Sequence, residues 1–431
     1  MMKRKLAGLL SMVLMCSLLA AGCGGSGGSG GSEDEGVSSK ADGEEGKPTV
    51  TLMIEVGGFP GLELAVDMVQ EKFPEYNIIS KEWSIDGVKK AIKTTQAAGG
   101  DESIDIAFNS STGILGFAES GLLTDLQPYL DENSEWGGLF EESMLQSCTY
   151  EDDVYGIPWQ AAYPVLVANA DIFEELEIEI KDDWTYDELM DVFETLKEKG
   201  YFGLGVSSGY NAWLLRQSYL NGFETEEELD AFNRGEVPMT DEKVVEAFDR
   251  VKALYENNYC YPGEGAIAAT DDECKVGMTN GKVALYATTN SGASSLIKEC
   301  GIENARIVNF PSFSNYSTAN LLGAPDVYIV PSNASNPEAV KEVLKYLTSE
   351  EVLTAMANVG VVVPMKEVQT EDPDYSEYSK DMGRLHSHDF GNLSDEIGDY
   401  INTGTAVTNY LYDGEAALEE LEQMRKTVAG E

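Results

Sequence analysis

Between residues 47 and 108 the chain changes its hydrophobic period four times, and that alternation restricts it to one fold class. Residues 47–55 (KPTVTLMIE) form a β-branched and apolar run that reads as a strand. After a glycine-rich break at Gly57, Gly58 and Gly61, Leu62, Val66, Val69 and Phe73 recur at helical spacing. Residues 76–83 read as a second strand, 88–98 as a second helix and 104–108 (IDIAF) as a third strand. Strand, helix, strand, helix, strand in so short a span predicts an α/β fold with a parallel sheet. The style persists downstream. Thr185-Tyr186-Asp187-Glu188 is a capping box, followed by Leu189, Val192, Phe193 and Leu196 on one face. Asn336 is expected to cap, and Pro337 to start, a helix with Val340, Val343, Leu344 and Leu347 on its apolar side. Leu418, Leu421 and Met424 mark a last helix.

The length of 431 residues is too great for one typical core and suits two domains. With 76 acidic against 29 basic residues the formal charge is −47. Such a surface repels nucleic acid and anionic headgroups, so neither is an expected partner. Beyond Cys16 and Cys23 the cysteines are Cys148, Cys260, Cys274 and Cys300, with no CxxC pair, and His386 and His388 lie far from them in sequence. No metal site or cofactor is expected. The four thiols fit either one or two disulfides, Cys260–Cys274 being the most local pairing, or free buried side chains.

The N-terminus suggests where the chain works. Lys3, Arg4 and Lys5 precede an apolar stretch over 6–21 that ends in small residues, the shape of a secretory signal over 1–22. Leu19-Ala20-Ala21-Gly22-Cys23 resembles a bacterial lipobox, with Ala20 where Leu is usual. That resemblance implies cleavage before Cys23 and a diacylglycerol on its thiol. Residues 24–32 are only Gly and Ser and 33–46 are polar, so 23–46 is expected to be a lipid-anchored tether. Loss of the signal would bring the charge to about −50.

Further stretches carry a resemblance in order along the chain. They are Asp105-Ile106-Ala107-Phe108 with residues 115–129, Val154-Tyr155-Gly156-Ile157-Pro158, and Ala168-Asn169-Ala170-Asp171-Ile172-Phe173. Asp183-Trp184-Thr185-Tyr186-Asp187-Glu188-Leu189, Gly281-Lys282-Val283-Ala284-Leu285-Tyr286 and residues 322–347 complete the set. Together they resemble the carbohydrate-binding extracellular solute-binding proteins of ABC transporters, the group that includes maltose-binding protein. The departures are Ala168 and Ala170 where Tyr and Lys are usual, and no proline before Trp184. The resemblance implies a two-lobed, type II periplasmic-binding-protein-like α/β fold. Crossover hinge strands would join the lobes, with a ligand cleft between them. The expected division is 47–147 with 322–375 for the first lobe, and 148–321 with 376–431 for the second. It also implies an extracellular, membrane-anchored monomer of a Gram-positive cell that captures a sugar or oligosaccharide and delivers it to a permease.

A sugar presents hydroxyls and C–H faces, so its site needs flat aromatics and planar polar groups. The aromatic candidates are Trp159 and Tyr163, after the Gly156-Ile157-Pro158 stretch, Tyr210 and Trp213 in a Gly/Ser-rich loop, and, more weakly, Phe59. The polar candidates are Asn109 and Ser110 at the end of the third strand, Asn290 after the 281–286 stretch, and Asp326 at an expected crossover. His388, Asp389 and Phe390 are placed to reach the cleft from the C-terminal segment. For each, core or hinge packing is the competing expectation. The rival functions are a carrier of peptide or polyamine, a ligand sensor, and a surface glycoside hydrolase. The last needs a matched carboxylate pair that nothing in the sequence singles out.

Overall fold

The computed structural model describes residues 46–431 apart from 55–59, 83–84, 99–103, 316–319, 373–374, 380–381 and 383–384. The expected signal, tether and Cys23 lie outside these residues. The strands are β1 (Thr49–Ile54), β2 (Asn77–Glu82), β3 (Ile106–Ser110), β4 (Thr149–Tyr150), β5 (Asp153–Val154), β6 (Ile157–Ala162) and β7 (Pro164–Asn169). They continue as β8 (Phe202–Gly205), β9 (Val283–Thr289), β10 (Ala305–Asn309), β11 (Leu321–Leu322), β12 (Ala324–Ile329) and β13 (Leu385–His386). One five-stranded sheet has the order β2-β1-β3-β12-β6 and a four-stranded sheet the order β10-β7-β9-β8.

The βαβαβ expectation holds for β1–β3, with helices Pro60–Lys72 and Ile85–Ala98 between the strands. Neither sheet is purely parallel, however. β12 runs antiparallel to β3 and β6, and β7 antiparallel to β9 and β10. The cause is the chain's route. β6 passes its carboxyl end straight to β7, and β12 returns from the second sheet, so both arriving strands enter from the side where β1 and β3 end. Past the division expected at 148, the chain still contributes β6 to the first sheet. β6 pairs with β12 and is buried through Ala161, so the chain leaves the first sheet at Tyr163.

Local chemistry follows sequence closely at most helix starts. Thr185 Oγ1 accepts from Glu188 N and Glu188 Oε2 accepts from Thr185 N, the reciprocal box expected there. Asn336 differs. It adopts a left-handed backbone and makes no side-chain cap, and its Nδ2 donates instead to Thr49 O, tying the helix Pro337–Leu347 to the edge of β1. Asp105 is fully buried beside β1. Its Oδ2 accepts from Thr51 N at 2.7 Å and its Oδ1 from Ser335 N at 2.6 Å, which offsets the cost of burying a carboxylate. Cys148, Cys260, Cys274 and Cys300 are all free and buried, and burial pushes the Cys148 and Cys260 thiols up.

Trp159 belongs to this core. It is 0% exposed, with ring centroids 5.7 Å from Phe108 and 5.9 Å from Tyr328. Its expected place in a ligand site is therefore corrected: an inward position on β6 stacks it on Tyr328 of the neighbouring β12 and tilts it against Phe108 of β3.

Three segments connect the sheets and meet at Gly323. A Cβ there would lie 2.6 Å from Leu385 Cδ2, 2.8 Å from Ala162 O and 2.8 Å from Tyr163 Cβ. Asn290 clamps the first segment. Its Oδ1 accepts from Tyr163 N at 3.2 Å and its Nδ2 donates to Ala161 O at 2.9 Å. Gln217 clamps the second, accepting from Leu322 N at 2.8 Å and donating to Asn320 O at 3.1 Å. In the third, Ser387 Oγ donates to Ser147 Oγ at 2.9 Å and lies 3.0 Å from His388 Nδ1. Burial holds the His388 pKa below its ordinary 6.5, against the opposing pull of Asp389 and with a further push from His386.

Three outcomes are expected. Trp159→Ala should lower unfolding free energy by about 3–5 kcal/mol in urea melts, since a large aromatic is lost from a packed core. Gly323→Val should destabilise by about 2 kcal/mol or more, because two of the atoms it meets belong to backbone or Cβ and cannot swing away. His388 is neutral in the fold and charges more readily when unfolded. Stability should thus be full above pH 6.5 and fall as pH drops below it, and urea melts of His388→Gln should show a shallower fall.

Candidate functional site

The helix Asn211–Leu220 (NAWLLRQSYL) is buried on nearly every side, so its polar residues point at specific partners. Arg216 turns toward the region between the sheets, where its Nε donates to Asp389 Oδ2 at 2.7 Å. The Arg216 side chain is 13% exposed and that of Asp389 0%. Asp389 Oδ1 accepts from Gly391 N at 2.8 Å, and Asn392 Oδ1 accepts from Asp389 N at 2.9 Å. This closes a tight turn over Phe390–Asn392. Removing either charge would strand the other in a buried place, at a cost of about 3–5 kcal/mol.

Facing this turn is the loop that follows β3. Asn109 is 5% exposed, its Oδ1 accepts from Ser110 N at 2.9 Å, and its Nδ2 has no hydrogen-bond partner among the described residues. A buried donor left in that state costs about 1–3 kcal/mol. Ser110 Oγ lies 3.1 Å from Thr112 Oγ1, and Asn392 Nδ2 approaches Thr112 O at 3.5 Å.

The two loops enclose a cavity of about 790 Å³. Its walls are Asn109, Ser110, Thr112, Gly113, Gly116, Phe117, Glu119 and Ser120 on one side. Arg216, Asp389, Gly391–Ser394, Gly398, Asp399, Asn402 and Thr403 form the other, with Lys93 completing it. The lining is mostly amide, hydroxyl and glycine, with two cations and three carboxylates. It offers paired donors and acceptors to a polar ligand held from two sides. A shallower hollow of about 550 Å³, lined within residues 127–154, draws on the first half of the chain only. Among the described residues, no group of three or more His, Cys, Asp or Glu is placed to hold a metal.

The candidates from sequence separate on this geometry. Asn109, Ser110 and Asp389 line the cavity. Tyr210 and Trp213 stack on one another at 4.1 Å, and Trp213 meets Phe310 edge-on, but neither ring is in the lining. Tyr163 is 2% exposed and lies in the first crossing, and Asn290, 1% exposed, has both ends of its amide taken by that crossing. Both expected contacts are corrected to hinge positions. Asp326 is 7% exposed, opposite Ser110 in the sheet, and accepts from Gln160 Nε2 at 3.1 Å. Phe59 lies outside the described residues. Arg216, Asn392, Asn402 and Thr403 were not singled out from sequence. A lone Arg inside an otherwise apolar and amide-rich helix, in a chain so poor in cations, was the available signal for the first.

A family profile described as bacterial extracellular solute-binding protein matches residues 66–382. The diacetylchitobiose binding protein DasA of Streptomyces coelicolor is 28% identical over 201 residues, which is 46% of this chain and 44% of that protein. The match thus spans less than half the length of that relative. Among solved structures, a chitin oligosaccharide binding protein superposes with a TM-score of 0.73 at 19% identity, covering 89% of this chain and 100% of the other. The GacH receptor of Streptomyces glaucescens, solved unliganded and with acarbose, gives 0.71 at 16% identity, covering 89% and 99%. These establish the two-lobed fold with crossing strands. The profile match over most of the chain settles the family: this chain is a bacterial extracellular solute-binding protein.

Proposed function

We propose that the chain captures a sugar or oligosaccharide in the cavity between its two sheets and delivers it to the permease of an ABC importer. The observation that carries this reading is the cavity itself. Its amide, hydroxyl and charged walls come from both halves of the chain, so a polar ligand would hold them together. A ligand touching both halves favours the arrangement in which both sets of contacts are made, and the closed form follows from binding. The names of the relatives, which bind chito-oligosaccharides or acarbose, support a carbohydrate. The two halves would turn as bodies on the three crossings, the first built around β1–β3, β6 and β12, the second around β7–β10. We take the carrier to be a monomer with no chemistry of its own.

The leader and Cys23 support a place on the outer face of the membrane, held by a lipid and a loose tether that raises the local concentration at the permease. Among the described residues no helix is long and apolar enough to cross a membrane.

Two measurements test this. In a thermal-shift screen of residues 47–431 against glycans, peptides and polyamines, a glycan at a hundred times its dissociation constant should add about 2.7 kcal/mol of stability. A shift with peptides or polyamines alone would overturn the substrate class. In a Gram-positive host, the full chain should fractionate with membranes and take up labelled fatty acid. Cys23→Ser should lose the label, and labelling that persists would refute the anchor.

A further inference from the structure

We infer that His388, on the third crossing, is a proton-operated release for the cleft: uncharged it lets the halves close, and when it takes up a proton the cleft opens. The inference rests on the proposed carrier role and adds the condition under which cargo is let go.

The chain has two histidines, and both lie on this crossing. His386 faces the second half, where its Nε2 lies 3.3 Å from Asn233 Nδ2 at the end of the helix Glu226–Asn233. His388 is linked through Ser387 to the first half, and a count of protons fixes its form. Ser147 Oγ, just past the helix Glu142–Gln146, gives its proton to Ser143 O at 2.8 Å, so it accepts from Ser387 Oγ. The Ser387 proton is thereby committed, and its oxygen accepts from His388 Nδ1 at 3.0 Å. Neutral His388 therefore carries its hydrogen on Nδ1, and a further proton enters at Nε2. The next residue is Asp389, whose carboxylate holds Arg216 and closes the turn Phe390–Asn392 at the wall of the cavity.

The surroundings set the sign. The charged and titratable groups that act on the His388 ring are Asp389 and His386. The helix Glu142–Gln146 reaches it only by the Ser147 hydroxyl, since Glu142 lines the outer hollow. The helix Asn211–Leu220 reaches it through Asp389, on which Arg216 and Tyr219 both act. An imidazolium beside Asp389 competes with Arg216 for that carboxylate and slackens the turn. The ring is also half-buried, and burial opposes its charge. Closing the halves removes more water from the crossings, so the closed form takes up the proton less readily than the open one. By linkage, acid favours the open form and ligand binding expels the proton.

Two readouts test this, the first without ligand, on residues 47–431, which hold every described strand and helix. In NMR between pH 8 and pH 5 the His388 ring should titrate with a midpoint below 6.5, and the Arg216 Nε–H signal should move with the same midpoint. His386→Asn assigns the two ring signals and should leave that response in place. His388→Asn keeps a donor for Ser387 Oγ but takes up no proton, and its Arg216 signal should stay still. If that variant fails to fold by circular dichroism, His388→Gln replaces it. In calorimetry, the screened glycan with the largest thermal shift should bind about threefold or more weaker at pH 5 than at pH 7, and the variant should bind it alike at both. An Arg216 signal that ignores the His388 midpoint, a flat affinity in the unaltered chain, or an acid loss that persists in the variant overturns the inference and leaves the sugar reading standing. If peptides or polyamines bind and no glycan does, the sugar reading falls, and the NMR titration still decides the switch.

Discussion

The structure depends on a point where there is no room for a side chain. At Gly323 three segments that join the sheets come within contact of one Cα, and two of the atoms that a Cβ would meet are Ala162 O and Tyr163 Cβ. Connections this close let two bodies share one pivot, whereas separate linkers would let each lobe wander. Amides complete the arrangement. Asn290 holds the first crossing and Gln217 the second, each using both ends of its side chain on backbone. A planar group that is donor at one end and acceptor at the other can replace a missing strand partner, and the hinge uses two of them where the sheets stop.

The cleft is built on the same economy. One buried ion pair, Arg216–Asp389, joins a central helix to the turn after the third crossing, and the turn in turn presents Gly391 and Asn392 to the loop after β3. The aromatics of the region are mostly spent elsewhere, Trp159 on the core and Tyr210 on Trp213. What remains in the cavity lining is mostly polar, small and directional, so on the proposed function recognition would depend on matching donors to acceptors more than on stacking.

Sequence made the fold legible wherever local periodicity and caps speak for themselves. The first five elements, the Thr185 box and the apolar face of Pro337–Leu347 all follow from residues a few positions apart. The sheet directions were not legible, because the antiparallel strands β7 and β12 owe their sense to where the chain comes from and not to their own composition. The site divided along the same line. Asn109 and Ser110 end a strand that sequence identifies, and the end of such a strand in an open α/β sheet opens on the crevice. Trp159 and Asn290 have the right chemistry for a sugar, yet burial among Phe108 and Tyr328, or against Ala161 and Tyr163, is decided by residues far away in the chain. Arg216 was overlooked because nothing within helical reach announces a partner; Asp389 lies 173 positions further on.

Arg216 and Gln217 are neighbours on one helix, and successive residues on a helix point about 100° apart. The first addresses the cleft and the second grips the strand leading to Gly323. On the proposed function, ligand contact and lobe movement would both be mounted on this one helix. A cleft reshaped for a new cargo would then carry its pivot with it, because the two neighbouring side chains share one backbone.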